Sequence, residues 1–171
     1  MKNKKLILVI LALSLLVLVL AYINMSNLDP NADEDGSITF VAGEQSITLT
    51  FDEIISLKNV EFRATEDTST TSPTQRQYKG VLLKEVLNEA TIDDEMIENS
   101  SKVLVKGLDG YIIALSPEEI LANKIVYLAF EKDGKPLGTM KKGGSGPFQM
   151  IARADVFSQR WCKYVYEVSL E

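Results

Sequence analysis

Hydrophobic positions fall along the chain in two regimes. From Leu6 to Ile23 they are continuous (LILVILALSLLVLVLAYI), and only Ser14 and Tyr22 carry polar side-chain atoms. From Ser37 onward they alternate or recur at helical spacing, the pattern of a half-buried domain surface. Between the two lies NMSNLDPNADEDG, residues 24–36, polar and interrupted by Pro30. That composition reads as a short tether. The expected layout is therefore 1–5 as N-terminus, 6–23 as apolar helix, 24–36 as tether and 37–171 as folded domain.

Within the domain, Ser37 to Val41 and Ser46 to Thr50 alternate around Gly43 and predict a β-hairpin. Phe51 to Leu57 predicts a short helix, with Asp52 and Glu53 near its positive end. Asn59 to Ala64 predicts a strand, and Thr65 to Gln77, which has no apolar residue, an exposed loop. Gly80 to Ala90 places Leu82, Leu83, Val86, Leu87 and Ala90 along one helical face. Lys102 to Lys106 and Tyr111 to Leu115 predict strands joined at Gly107-Leu108-Asp109-Gly110. Ser116-Pro117-Glu118-Glu119 is a helix start: Ser caps, Pro takes the first position and Glu119 reaches back. Lys124 to Glu131 predicts a strand, and Asp133-Gly134 a hairpin turn. Phe148 to Arg153 and Trp161 to Leu170 predict the last strands, with Cys162, Tyr164, Tyr166, Val168 and Leu170 on one face. The expected fold class is α+β, a mixed β-sheet domain preceded by one N-terminal transmembrane helix.

Charge gives the apolar run a direction. Eighteen residues at ~1.5 Å each reach ~27 Å, close to the hydrocarbon thickness of a bilayer. Lys2, Lys4 and Lys5 precede the run, and Asp29, Asp33, Glu34 and Asp35 follow it. The positive-inside tendency then keeps residues 1–5 in the cytoplasm and sends the domain to the other side. A cleaved signal peptide is the competing reading, against which the run is long and lacks a polar stretch before a cleavage site. The expected location is the cell membrane, single-pass, with the C-terminal domain extracytoplasmic.

Composition then removes whole classes of chemistry. The chain has 18 Lys plus Arg, 24 Asp plus Glu, a formal charge of −6, one Cys and no His. Histidine-based catalytic triads and imidazole-held metals are excluded. So are an intrachain disulfide and a Cys-rich metal site. An acidic domain does not suit nucleic acid, which asks for a positive field. Cys162, on the apolar face of a predicted strand, reads as a buried structural thiol rather than a reactive one. Glu66 and Asp67 sit among hydroxyls without the periodicity of a calcium loop.

The local feature with most chemical promise is Met140 to Phe148, MKKGGSGPF. Its glycines allow backbone N–H groups to converge on an anion. Around it, residues 132–163 carry seven basic and two acidic residues, whereas 29–98 carries five and sixteen. A local positive field on an acidic protein suits a small anionic ligand.

In order along the chain, these segments resemble the oxidoreductase molybdopterin-binding domain of the sulfite oxidase family. The resemblance rests on Ile47 to Ile54 (ITLTFDEI), Tyr78 to Leu87 (YKGVLLKEVL) and Asp109-Gly110-Tyr111 with Leu115-Ser116. Gly146 to Ile151 (GPFQMI) and Arg160 to Val165 (RWCKYV) complete it. It spans roughly Ser37 to Glu171 and implies that family's mixed-sheet fold and a pterin cofactor. The family's enzymes ligate molybdenum through a cysteine after an early strand. The corresponding stretch here, Val60 to Asp67, has none, and Gln149 stands where the family has a substrate-side arginine. What the resemblance implies for ligand binding is carried by Arg63, Lys142, Ser145, Gly146 and Lys163, with no catalytic or metal-ligating residue. The expected function is a membrane-anchored, extracytoplasmic, non-catalytic ligand-binding or redox-accessory module. Alternatives are an active molybdopterin-dependent oxidoreductase with atypical metal ligation, and a structural protein-interaction domain.

Overall fold

Alternation in ITFVA and QSITL produces β1 (Ile38–Ala42) and β2 (Gln45–Leu49), antiparallel with Ile38 opposite Leu49. The chain turns between them at Gly43, whose φ of +60° a side chain would strain. Structure is described, in a computed structural model, for residues 10–20, 35–68, 71–122, 125–155 and 158–171. Residues 10–20 are helix with exposed apolar side chains. No helix among the described residues is long and apolar enough to cross a membrane. The remainder of the expected 6–23 span, and the expected tether apart from Asp35 and Gly36, lie outside the described residues. Residues 1–31 and 32–171 form two separate units.

Thr50 caps α1 (Phe51–Ser56) in a full capping box with Glu53. β3 (Asn59–Thr68) and β4 (Thr71–Leu82) follow as one long hairpin, in register from Asn59 opposite Val81 to Thr68 opposite Thr71. α2 (Leu83–Glu89) and α3 (Asp94–Asn99) come next, the latter capped by Asp93. β5 (Val103–Gly107), β6 (Ile112–Leu115) and α4 (Pro117–Leu121) lead to β7 (Val126–Lys132). Asp133 and Gly134 turn the chain into β8 (Lys135–Pro136), and a 3-10 turn at Met140–Lys142 precedes β9 (Gln149–Ala152). A second 3-10 turn at Ser158–Arg160 leads to β10 (Val165–Leu170).

The strands form two five-stranded sheets. One has the order β2-β1-β10-β5-β6, and its β1 and β10 run parallel. The other runs β3-β4-β7-β8, with β9 also on β7. The main core includes Phe40, Val105 and Val168 of the first sheet and Val81, Leu128 and Phe130 of the second. The helices close it with Ile54, Leu87, Ile97 and Ile120. A smaller aromatic core is built from Phe62, Tyr78, Tyr127 and Trp161 with Ala64, Ala129 and Ile151. The class is α+β, as expected.

Three boundaries differ from the sequence-based expectation. Residues 65–68 and 71–77 are strand, not loop: their backbone groups pair across the hairpin although most of the side chains stay in water. The expected helix at 80–90 begins only at Leu83, because residues 80–82 complete β4 against β7. The expected strand at 161–170 begins at Val165. Cys162 makes a single bridge to Met150, and Tyr164 has φ +54°. That left-handed residue resets the pleat, so Val165 rather than Tyr164 is buried beside Val168. Lys124, the expected first residue of β7, lies outside the described residues.

Arg160 ties α4 to the second 3-10 turn. Its Nη2 lies 2.6 Å from Glu119 Oε1 and 2.5 Å from Asp155 Oδ1. The Arg160 guanidinium is the main reason the Glu119 carboxyl titrates below the usual 4.5. A carboxylate with a depressed folded-state pKa stabilises above its unfolded value, and that stabilisation is lost as pH falls through the folded one. Arg160→Met is therefore expected to cost up to about 1 kcal/mol at neutral pH, since the pair is partly solvated. The difference from wild type is expected to shrink once pH falls below the depressed Glu119 value, measured as urea midpoints across an acid titration.

Candidate functional site

The segment from Gly138 to Pro147 folds onto itself before it faces anything else. The N–H of Lys142 donates to the Thr139 carbonyl at 3.1 Å, that of Gly143 to Met140 at 2.9 Å and that of Gly144 to Thr139 at 2.9 Å. Ser145 N–H donates to Leu137 at 3.1 Å and Gly146 N–H to Gly138 at 2.8 Å. Every backbone donor from Lys142 to Gly146 is thus used inside the loop. The expectation that glycines here turn N–H groups toward an anion is corrected. Gly144 and Gly146 permit close backbone approach instead, since a Cβ on either would collide with Leu137 or Gly138. Tyr164 fixes the loop from behind, its hydroxyl donating to the Gly144 carbonyl at 2.6 Å.

A cleft of about 460 Å³ opens against this loop, lined by Gly143, Gly144, Ser145, Lys163, the β7–β8 turn and Glu66. Two expected site residues, Ser145 and Lys163, are therefore brought together. Lys142 is exposed on the 3-10 turn and does not line the cleft, and Gly146 is buried behind it. Glu66 faces the cleft with its carboxylate already engaged. Lys132 Nζ lies 3.2 Å from Oε1 and Arg76 Nε 3.6 Å from Oε2. Arg76 also pairs with Asp133 at 3.2 Å. Among the described residues, Lys135 and Lys163 have no carboxylate within 4.0 Å. They are the groups left to meet an anion there.

Glu66 and Lys132 were not identified as site residues from sequence. Their pairing depends on the β3–β4–β7 register, in which Tyr78 stands opposite both Phe62 and Lys132. No local motif encodes that.

Arg63 lies elsewhere. It lines a second cleft of about 640 Å³, with Val60, Phe62, Tyr127 and Arg153 among the other walls. The two clefts share no lining residue.

Cys162 lines neither cleft. It is fully buried, with Sγ 3.7 Å from the Tyr111 carbonyl oxygen and 3.6 Å from that of Lys163. Burial, with a smaller push from Asp109, raises its thiol to about 12. It is protonated at neutral pH, and a protonated thiol is a poor nucleophile and a poor metal ligand. In the stretch where the resemblance places a ligating thiolate, the side chains turned inward are Phe62, 6% exposed, Ala64, 5% exposed, and the paired Glu66. A soft metal held by thiolate does not fit these residues. An oxyanion fits the pair of lysines at the cleft mouth.

Residues 37–171 match the family described as oxidoreductase molybdopterin binding domain. No curated protein matches the chain. Among solved structures it is similar to the sulfane dehydrogenase SoxCD from Paracoccus pantotrophus, with a TM-score of 0.65 and 17% identity over 80% of this chain. The match covers 38% of that SoxCD chain, so this chain corresponds to well under half of that larger chain.

Proposed function

The chain belongs to the oxidoreductase molybdopterin-binding domain family, and on that footing we propose that it works without thiolate-held molybdenum, as a ligand-binding or redox-accessory module. The observation that carries this is the inner face of β3, formed by Phe62, Ala64 and Glu66. An aromatic ring, a methyl group and a carboxylate already matched to Lys132 and Arg76 occupy the stretch where the resemblance places the thiolate. The ligand proposed for the cleft is a small oxyanion-bearing molecule met by Lys135 and Lys163 beside Ser145. The apolar run 6–23 with its preceding lysines supports a membrane anchor and an extracytoplasmic position for the domain.

The test is metal analysis of full-length protein made in a molybdenum-replete host. The expected content is far below one molybdenum per chain, with no pterin fluorescence after oxidation. Stoichiometric molybdenum with the pterin signature would overturn the reading and favour an enzyme with atypical ligation.

A further inference from the structure

We infer that the second cleft, between β3, the end of β4 and Arg153, binds a planar apolar molecule carrying a carboxylate or related oxyanion. Three observations meet there. The first is volume: about 640 Å³ is ample for a small organic ligand. The second is its apolar wall. Val60, Leu82, Phe62 and Tyr127 line it, and the Phe62 and Tyr127 rings stack with centroids 3.9 Å apart. The rings are buried, so Val60 and Leu82, half-buried above them, are the apolar surface against which a flat apolar body packs.

The third is a pair of guanidinium groups held together by their own stems. Arg153 Nε donates to the Arg63 backbone carbonyl at 3.1 Å, and Arg63 Nε to Gln77 Oε1 at 3.4 Å. Among the described residues neither arginine has a carboxylate within 4.0 Å. Glu61 and Glu85 also line the cleft, but Glu61 accepts from Gln77 Nε2 at 3.3 Å. Two guanidinium ends positioned through Nε and not engaged in an ion pair among the described residues are suited to clasp an oxyanion.

This inference does not depend on the first cleft or on the metal question. Its test uses the full chain in non-ionic detergent, titrated with 2-naphthoate and followed by backbone amide NMR shifts. Saturable shifts at Val60, Phe62, Arg63 and Tyr127 are expected. The neutral 2-naphthalenemethanol should bind about tenfold more weakly or worse, as should 2-naphthoate to Arg63→Ala and Arg153→Ala. Arg153→Lys should recover part of the loss, since charge returns without the planar fork. Equal affinity for the alcohol, unchanged affinity in both alanine variants, or shifts confined to Gly143–Ser145 and Lys163 would each overturn the proposal.

Discussion

Phe148→Ala is expected to lower the unfolding free energy by about 3–5 kcal/mol, the range for emptying a fully buried aromatic site. Phe148 is 0% exposed and joins the main core directly after the glycine loop. Its ring centroid lies 5.0 Å from that of Phe51 on α1 and 6.4 Å from that of Phe130 on β7. Its carbonyl accepts from the Val165 N–H at 3.1 Å, the first residue of β10. Through its ring and its backbone carbonyl together, this residue joins a helix, both sheets and the loop that walls the first cleft. Truncation leaves a void that no exposed neighbour can fill. Phe148→Leu keeps most of the volume and should lose clearly less. Urea unfolding at constant slope measures both, and a loss below about 1 kcal/mol for the alanine variant would contradict the packing described.

Gly144→Ala is expected to cost about 3 kcal/mol, at the high end for inserting a single carbon into a packed region. The new Cβ would meet the Leu137 carbonyl oxygen and the Gly138 carbonyl group. Both are backbone atoms, and the same carbonyls accept from Ser145 and Gly146, so neither side can yield without breaking the loop. Gly143→Ala is the matched comparison. Nothing lies within 4 Å of its added carbon, but its φ is +70°, so only conformational strain of about 1–2 kcal/mol applies. Adjacent glycines thus separate crowding from strain. If the two substitutions cost the same, the close approach of the Gly144 backbone to Leu137 and Gly138 is not what fixes this loop.

Much of the fold was legible because its signals are local. The Gly43 hairpin, the Ser116 to Glu119 cap and the Asp133-Gly134 turn each need only neighbouring residues to specify them. The long hairpin was not legible. In its distal half none of the side chains described, at 65–67 and 72–77, is fully buried, and the strands pair through their backbones, so no apolar period marks it. Its threonines are strand-favouring residues, a weaker cue that the absence of apolar positions outweighed. The last strand was half legible: Val168 is buried on the expected face, but the left-handed Tyr164 and a register shift between Val165 and Glu167 break the alternation that the sequence suggests.

At the candidate site, Ser145 and Lys163 are separated in sequence and line the same cleft. Arg63 does not join them. It lies midway along β3 and Glu66 further along it, so the same strand serves two clefts at two points. Which residues reach which cleft follows from the pairing of β3, β4 and β7, and pairing over such distances leaves no trace in a single sequence.

The parallel contact of β1 with β10 bears on how the domain is made. Thr39 lies opposite Glu167 and Ala42 opposite Leu170, and β10 is the middle strand of its sheet. As a ribosome delivers the chain, the β1–β2 hairpin emerges early and waits with one edge bare while nearly the whole domain is synthesised. The β5–β6 hairpin waits likewise. Neither half has its neighbour until the closing strand arrives and bridges them, so the sheet forms late and in one event. Such long-range closure is slow and leaves sticky edges in the interim. If the domain crosses a membrane as an unfolded thread, that delay becomes an advantage, because a sheet that cannot close before the last strand stays competent for passage.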